Sequence, residues 1–263
     1  MTTEPSFYEY KQIPSFARPY LDTYYSCNPS EDEREISKFM IEELRRLSRK
    51  FDQYIELGCG GTLHHSIPIA PWVDSIVLTD YLHDAREEVE LWRTAHPSAF
   101  SWDHYISKSL EHEGVATDSH AIAERRNQIQ SKIISIESCD VRRMPAVSCE
   151  FGCNSVWGMF FVAAEVGGDL EGWAEVMRCV AETIPRGGHL FMSALRGMSE
   201  YVLKSADGSD FRHIKCAAVD ESHYMDLLPK LGFANPSVKA HLIANPDVHI
   251  PGVVMVSATK SGA

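Results

Sequence analysis

Three glycines within four residues stand in Glu56-Leu57-Gly58-Cys59-Gly60-Gly61-Thr62, directly after the apolar pair Tyr54-Ile55. A backbone that turns so tightly, without a Cβ at the critical points, lets a ligand lie close against it. A turn of this kind after the first strand of an α/β sheet is where nucleotide-like cofactors bind. A nicotinamide dinucleotide turn needs a third glycine in Gly-x-Gly-x-x-Gly, and that position is Leu63. A Walker phosphate loop ends in Gly-Lys-Ser/Thr, and none follows here. What remains is an acid, Glu56, placed two residues ahead of Gly-x-Gly.

A second apolar run, Ser75-Ile76-Val77-Leu78-Thr79, ends on Asp80, 20 residues after Gly60. At the tip of a neighbouring strand its carboxylate can accept both hydroxyls of a ribose. A third run, Ile133–Ile136, leads to Cys139-Asp140-Val141, where an acid can accept an exocyclic amine and Val141 can cover a purine ring. Turn residues or helix caps would look the same at Asp80 and Asp140. Taken together, the acid before Gly-x-Gly and the acid closing the next strand resemble the cofactor motifs of class I S-adenosylmethionine (SAM) methyltransferases.

The 263 residues suffice for one large α/β domain. The formal net charge of −12 disfavours a nucleic-acid substrate, since short basic pairs such as Arg45-Arg46 and Arg142-Arg143 read as solvated faces. Seven scattered cysteines, with Cys149 and Cys153 lacking a second close pair, give no zinc pattern, and His64-His65 has no partner at metal spacing. No metal site is expected. No apolar stretch reaches the length of a membrane span, and the N-terminus has no apolar leader, so a reduced, cytoplasmic protein is expected.

These chemical groups need elements to hold them. Residues 1–29 carry Phe7, Tyr8, Tyr10, Phe16, Tyr20, Tyr24 and Tyr25, and Pro5, Pro14 and Pro19 argue against one continuous helix there. The segment could be a lid or a wrap around the core. Ser30 followed by Glu33 is a capping box opening a helix through Ile36, Phe39, Met40, Leu44 and Leu47. Asp84 with Glu87 repeats that pattern for a helix to about Ala95, and a further helix is expected near 122–133. Asn154–Phe161 reads as the fourth strand, Asp169 as the cap of the next helix, and His189–Leu195 as the fifth strand. Asp220 caps a last helix ending at Leu231-Gly232, before two runs, Ser237–Ile243 and Val253–Thr259, that can pair antiparallel. The pattern predicts an α/β, Rossmann-like class I methyltransferase fold. It has a seven-stranded, mostly parallel sheet with an antiparallel C-terminal edge: a lid in residues 1–29 and one domain in 30–263.

With those residues assembled, the chain resembles the nicotinamide/phenylethanolamine/indolethylamine N-methyltransferase family. The resemblance rests on Tyr20-Leu21-Asp22-Thr23-Tyr24-Tyr25, on the Glu56–Thr62 turn, on Thr79-Asp80-Tyr81 and on Phe100-Ser101-Trp102. Cys139-Asp140-Val141, Pro185-Arg186-Gly187-Gly188 and Ser193-Ala194-Leu195 extend it. It implies that Tyr20 and Tyr25 close over SAM, that Gly58 and Gly60 lie beneath it, and that Asp80, Tyr81, Asp140 and Val141 hold its nucleoside. Glu56, Thr62 and Trp157 complete the expected cofactor shell. The chain departs from the family at His64 (usually Tyr), Ala85 (Asn) and Gly197 (Ser). It also has Ser193 where the nicotinamide enzyme has an Asp, which argues against nicotinamide as acceptor.

A sulfonium methyl is already activated, so the protein has to align nucleophile, methyl and sulfur and exclude water. An amine must arrive neutral, and a carboxylate can bind its ammonium or take its proton. Candidates are Glu165 after the fourth strand, Glu200 after the fifth and Asp247 in the last loop, with Tyr20 as a further catalytic candidate. Phe160, Ser193 and Tyr201 are expected at the acceptor, with Trp157, Met159 and Phe161 as further wall residues. The expected activity is SAM-dependent methyl transfer to a small molecule, at an amine or heterocyclic nitrogen. O-, S- or C-methylation and a non-catalytic SAM-binding regulator are the alternatives. A monomer is expected.

Overall fold

A computed structural model describes residues 16–147, 151–204, 211–243 and 250–261. Helix α1 (Ala17–Tyr24) and helix α2 (Glu31–Leu47) precede strand β1 (Phe51–Leu57). A short α3 (Ser66–Ile69) and a 3-10 turn at Ala70–Trp72 lead to β2 (Val73–Asp80). Helices α4 (His83–Arg93), α5 (Asp103–Glu113) and α6 (Ser119–Lys132) come before β3 (Ile133–Ser138) and β4 (Ser155–Phe160). Then follow α7 (Val162–Gly167), α8 (Leu170–Thr183), β5 (His189–Leu195), a β6 (Glu200–Lys204)–β7 (Phe211–Lys215) hairpin and α9 (Glu221–Lys230). Strands β8 (Phe233–Leu242) and β9 (Gly252–Lys260) close the chain.

Seven strands form one sheet in the order β3-β2-β1-β4-β5-β9-β8. The first five are parallel, and β9 runs against both β5 and β8. The chain builds outward from β1 through β2 to β3, then returns to start again on the far side of β1 with β4. The C-terminal ends of β1 and β4 therefore flank a topological switch point, where such sheets bind ligands.

Side-chain alternation divides the interior. Tyr54, Ile76, Leu78, Val156 and Phe191 face α2, α4, α5 and α6, while Ile55, Leu57, Val77, Trp157 and Leu190 face α7, α8 and α9. Both faces are covered, so β4 is buried along its whole length. Gly158, in the middle of β4, is there because nothing larger fits. A Cβ would stand 2.2 Å from the Tyr54 hydroxyl and 2.9 Å from the Phe160 ring.

The capping box at Ser30 forms, with Glu33 Oε2 accepting the Ser30 N–H at 2.9 Å. Asp169 and Asp220 cap α8 and α9 as expected, and β8 pairs with β9. Asp84 does not cap α4: Leu82 occupies the N-cap, and Asp84 Oδ2 instead accepts the Ala17 N–H of α1 at 2.9 Å. A tertiary donor has taken the carboxylate that the local pattern assigned to its own helix. The sequence reading did not anticipate α5 or the hairpin. Helix α5 buries only Tyr105, Ile106, Ser109 and Leu110, and its stop signal is the left-handed Gly114.

Gly158→Ala should lower the thermal unfolding midpoint by several degrees, through overpacking worth about 1–3 kcal/mol. Differential scanning calorimetry would detect it, and an unchanged midpoint would contradict the packing described for β4.

Candidate active site

The turn after β1 is held from β2. Thr79 O accepts the N–H groups of Gly58 and Cys59, both at 2.9 Å, and Asp80 Oδ2 accepts that of Gly60 at 2.7 Å. Asp80 Oδ1 accepts the Leu82 N–H at 2.8 Å, so one buried carboxylate ties the turn after β1 to the turn after β2. Thr62 Oγ1 closes the loop on Cys59 O at 2.7 Å. Gly58 and Gly60 have φ of +74° and +64°, a left-handed backbone that favours glycine. They differ in surroundings. A Cβ at Gly58 would strike Val162 at 2.6 Å, whereas one at Gly60 would meet nothing within 4 Å. Gly58 is needed for packing, and the space over Gly60 is open to a ligand.

Burial pushes the Asp80 carboxyl up to about 6, against the pull of the Leu82 and Gly60 N–H groups and of Arg86. Each of its oxygens keeps a second lone pair for a ribose hydroxyl. Asp140 follows β3. Burial would raise its carboxyl, but hydrogen bonds from Arg142 and the charge of Arg143 outweigh that and hold it below the usual range. The Arg142 guanidinium lies 5.8 Å from the ring centre of Tyr81, which is half exposed at the tip of β2. Val141 is buried against the core.

Helix α1 covers this end of the sheet. Besides the Ala17–Asp84 bond, Arg18 forks onto Glu88 and donates to Ser98 O at 2.8 Å, and Tyr25 O pairs with His104 Nε2 at 2.8 Å. Tyr20 and Tyr25 meet hydroxyl to hydroxyl at 3.5 Å. Tyr25 then packs on His64, Trp102 and Tyr105, with ring centres 5.0, 5.5 and 5.9 Å away. The Phe-x-Trp motif thus builds the floor beneath Tyr25. Tyr20 turns its other side to a small cluster of Phe16, Leu82, Tyr201, Leu203 and Ile214, so the hairpin and α1 share one apolar contact.

Glu165 lies in the first turn of α7, half-buried, and desolvation lifts its carboxyl well above the ordinary range. It stands close enough to add to the burial that raises the Tyr20 hydroxyl. Phe161, between β4 and α7, has φ of +60°. That conformation is strained for a bulky residue and is typical of functional sites. Phe160 stacks on His65 with ring centres 3.6 Å apart, and Ser193 Oγ is buried without a partner among the described residues.

The structure therefore gathers Tyr20, Tyr25, Gly58, Gly60, Asp80, Tyr81, Asp140 and Val141 around the switch point. Thr62 serves the turn rather than the space above it. Trp157 is not brought there. It sits in mid-strand, fully buried on the α8 face, and its Nε1 donates back to Ser155 Oγ at 2.9 Å, toward the opposite end of β4. Glu200 is not brought in either. It alternates with the inward Tyr201 and Leu203 of β6 and is exposed on the hairpin's outer side. Asp247 lies outside the described residues. The sequence reading missed the pairing of Glu56 with His65 and the second role of Glu33, whose Oε2 also accepts from Tyr105 at 2.7 Å. The His64-His65 doublet was the available signal, directly after the turn.

An open space above Gly60, a carboxylate at the tip of β2 and an aromatic cover suit an adenosyl ligand, and with this strand order they define a class I SAM-dependent methyltransferase. Solved structures share the fold. A SAM-dependent methyltransferase from Clostridium acetobutylicum matches with a TM-score of 0.53 at 10% identity, covering 92% of this chain and 97% of that one. A DhpI-SAM-HEP complex matches with a TM-score of 0.54 at 12% identity, covering 91% and 92%. The chain belongs to the NNMT/PNMT/TEMT family, whose model matches residues 8–261. Indolethylamine N-methyltransferase of Mus musculus is 25% identical over 179 residues, 66% of this chain and 67% of the relative. Nicotinamide N-methyltransferase of Homo sapiens is 26% identical over 129 residues, 47% and 48% of the two. The aligned stretches thus span from about half to two thirds of these relatives.

Asp80 must be ionised to accept two hydroxyls, so affinity for S-adenosylhomocysteine should fall as pH drops through about 6. In the ligand-free fold the sign is opposite: a raised carboxyl adds stability at low pH that is lost as pH rises through about 6. Titrations across that range should show the decline in wild type and a flat profile in Asp80→Asn. Trp157→Phe should leave the affinity within about twofold while costing about 1–2 kcal/mol of stability. A large affinity loss would return Trp157 to the site.

Proposed function

We propose that this protein moves a methyl group from SAM to the nitrogen of a small amine by in-line displacement. The observation that carries the nitrogen reading is Glu165, a desolvated carboxyl beside Tyr20 at the mouth between α7 and α1. Asp80 would hold the ribose, with Tyr81, Asp140 and Val141 around the adenine. SAM supplies a methyl already activated by its sulfonium charge. The protein's own contribution is placement and exclusion of water. Tyr20 and Tyr25 roof the site, and Phe16 and Tyr201 extend the apolar wall toward the hairpin. A carboxyl with a raised pKa can take a proton from an ammonium near neutral pH, leaving the lone pair free to attack. Relatives named as indolethylamine, nicotinamide and phenylethanolamine N-methyltransferases support nitrogen as the acceptor atom. Ser193 in place of the acid of the nicotinamide enzyme supports an amine over a carboxamide-bearing pyridine. The described cysteines are free, in keeping with a reducing cytoplasm. Among the described residues no helix is long and apolar enough to cross a membrane.

Calorimetric titration should give one-site binding of SAM and S-adenosylhomocysteine, with NAD silent. Asp80→Ala should weaken the first two by about 2 kcal/mol, the loss of a charge-assisted pair of hydrogen bonds. With an amine panel, Glu165→Gln should lower kcat/KM at least about tenfold without changing SAM affinity. Full activity in that variant would remove Glu165 from the reaction.

A further inference from the structure

Strands β2 and β3 are parallel neighbours whose C-terminal tips stand side by side, with Asp80 opposite Ser138 and the Cys139 N–H donating to Asp80 O at 3.2 Å. Tyr81 leaves one tip, and Asp140-Val141-Arg142 leaves the other. A guanidinium fills the gap between them. Arg142 Nε donates to Asp140 Oδ1 at 3.0 Å and Nη2 to Oδ2 at 3.5 Å, while its Cζ lies over the Tyr81 ring, 5.8 Å from the centre. Oδ1 also accepts the Arg142 backbone N–H at 3.1 Å, and Arg143 Nε stands 3.5 Å from Oδ2. An ionised carboxylate offers about four lone-pair positions. Here each oxygen already faces two nitrogens.

The loop that carries Arg142 is pinned through its backbone. The Asp140 N–H donates to Ala146 O at 3.1 Å, and the Arg143 N–H to Asp140 O at 2.9 Å. Helix α8 holds the loop from outside, where Thr183 Oγ1 accepts the Ala146 N–H at 3.0 Å and the Cys179 thiol donates to Arg142 O at 3.6 Å. The Arg142 side chain, by contrast, is 44% exposed, so it can rotate into solvent while the loop stays in place. A half-exposed ion pair is weak enough to be exchanged for another donor. The neighbouring Arg86 points its Nη1 at Asp80 O and Tyr81 O instead, and so braces the tip of β2.

A guanidinium is flat, stacks on an aromatic ring and turns an N–H edge to a carboxylate. An adenine with its exocyclic amine does the same, and the two cannot fill one place together. We propose that Arg142 is a self-inhibitory latch on the nucleobase subsite: its guanidinium keeps the place between Asp140 and Tyr81 until the purine of the methyl donor displaces it and the exocyclic amine takes over Asp140. This rests on the adenine assignment given above. Only molecules whose Arg142 has swung out bind the donor, so the apparent dissociation constant rises by the inverse of their fraction. The latch also selects what enters. A base without an amine at that edge gives Asp140 nothing in exchange for the guanidinium.

The test is a double-mutant cycle read by calorimetric titration with S-adenosylhomocysteine, which carries no sulfonium charge to respond to a lost cation. Wild type, Arg142→Ala, Asp140→Ala and the double variant are compared. Arg142→Ala should bind about three- to tenfold more tightly than wild type. In the Asp140→Ala background the same change should shift affinity by less than about twofold, because the latch has lost its catch. Arg142→Ala affinity equal to or weaker than wild type overturns the proposal, and so does tightening that persists in full without Asp140. Should Arg142→Ala fail to fold, Arg142→Gln makes the same comparison with the length of the side chain kept. The adenine assignment fails separately: adding Asp140→Ala to Arg142→Ala should weaken binding at least about tenfold. No loss there would remove Asp140 from the base, and the latch with it. A complete absence of binding by wild type would overturn the donor reading itself.

Discussion

The Asp80 carboxylate is the constraint on which the site depends. It accepts the N–H groups of Gly60 and Leu82, and so fixes two loops at once. A buried charge is tolerable only when such donors meet it. Each of its oxygens keeps a further lone pair beyond those bonds. Positioning of the turn and the ribose contact proposed above thus fall to one side chain. Helix α1 depends on it indirectly: Asp84 and Glu88, which hold Ala17 and Arg18, stand on the helix that starts just beyond Leu82.

Above that frame the site is built largely from aromatic rings and desolvated acids. Tyr25 rests on Trp102, Tyr105 and His64, and Tyr20 bridges from it to the hairpin cluster. Rings suit such a cover because they span area with few rotatable bonds and leave a hydroxyl at the rim. Glu33, Glu56 and Glu165 sit behind or beside them, all with carboxyls raised by desolvation. Placing acids where water is scarce makes their charge responsive to what enters.

The parts legible in the sequence were those with local grammar. Strand runs bounded by glycine, the capping residues Asp169 and Asp220, and the acid closing β2 follow from short-range chemistry, and the mostly parallel sheet with its antiparallel edge from their alternation. Asp84 misled because the tertiary partner, Ala17, lies 67 positions away. Trp157 read as a site residue because its strand runs to the site; strand phase and the Ser155 hydroxyl decide otherwise. Glu200 failed by one step of alternation in a hairpin whose turn signal, Asp207-Gly208 between the two runs, went unread. The Glu56–His65 pair is separated by nine residues across a turn, a spacing with no periodic signature.

The raised carboxyls also change what the composition means. A formal charge of −12 counts every Asp and Glu as ionised. The fold instead keeps Glu56 largely protonated at neutral pH and Glu33 partly so, with Glu165 shifted in the same direction by desolvation, which makes the native molecule less acidic than its residues imply. Unfolding hands those protons back to solvent. The native state is therefore a small store of acid, and its electrophoretic mobility, not its sequence, reports how much of that store is filled.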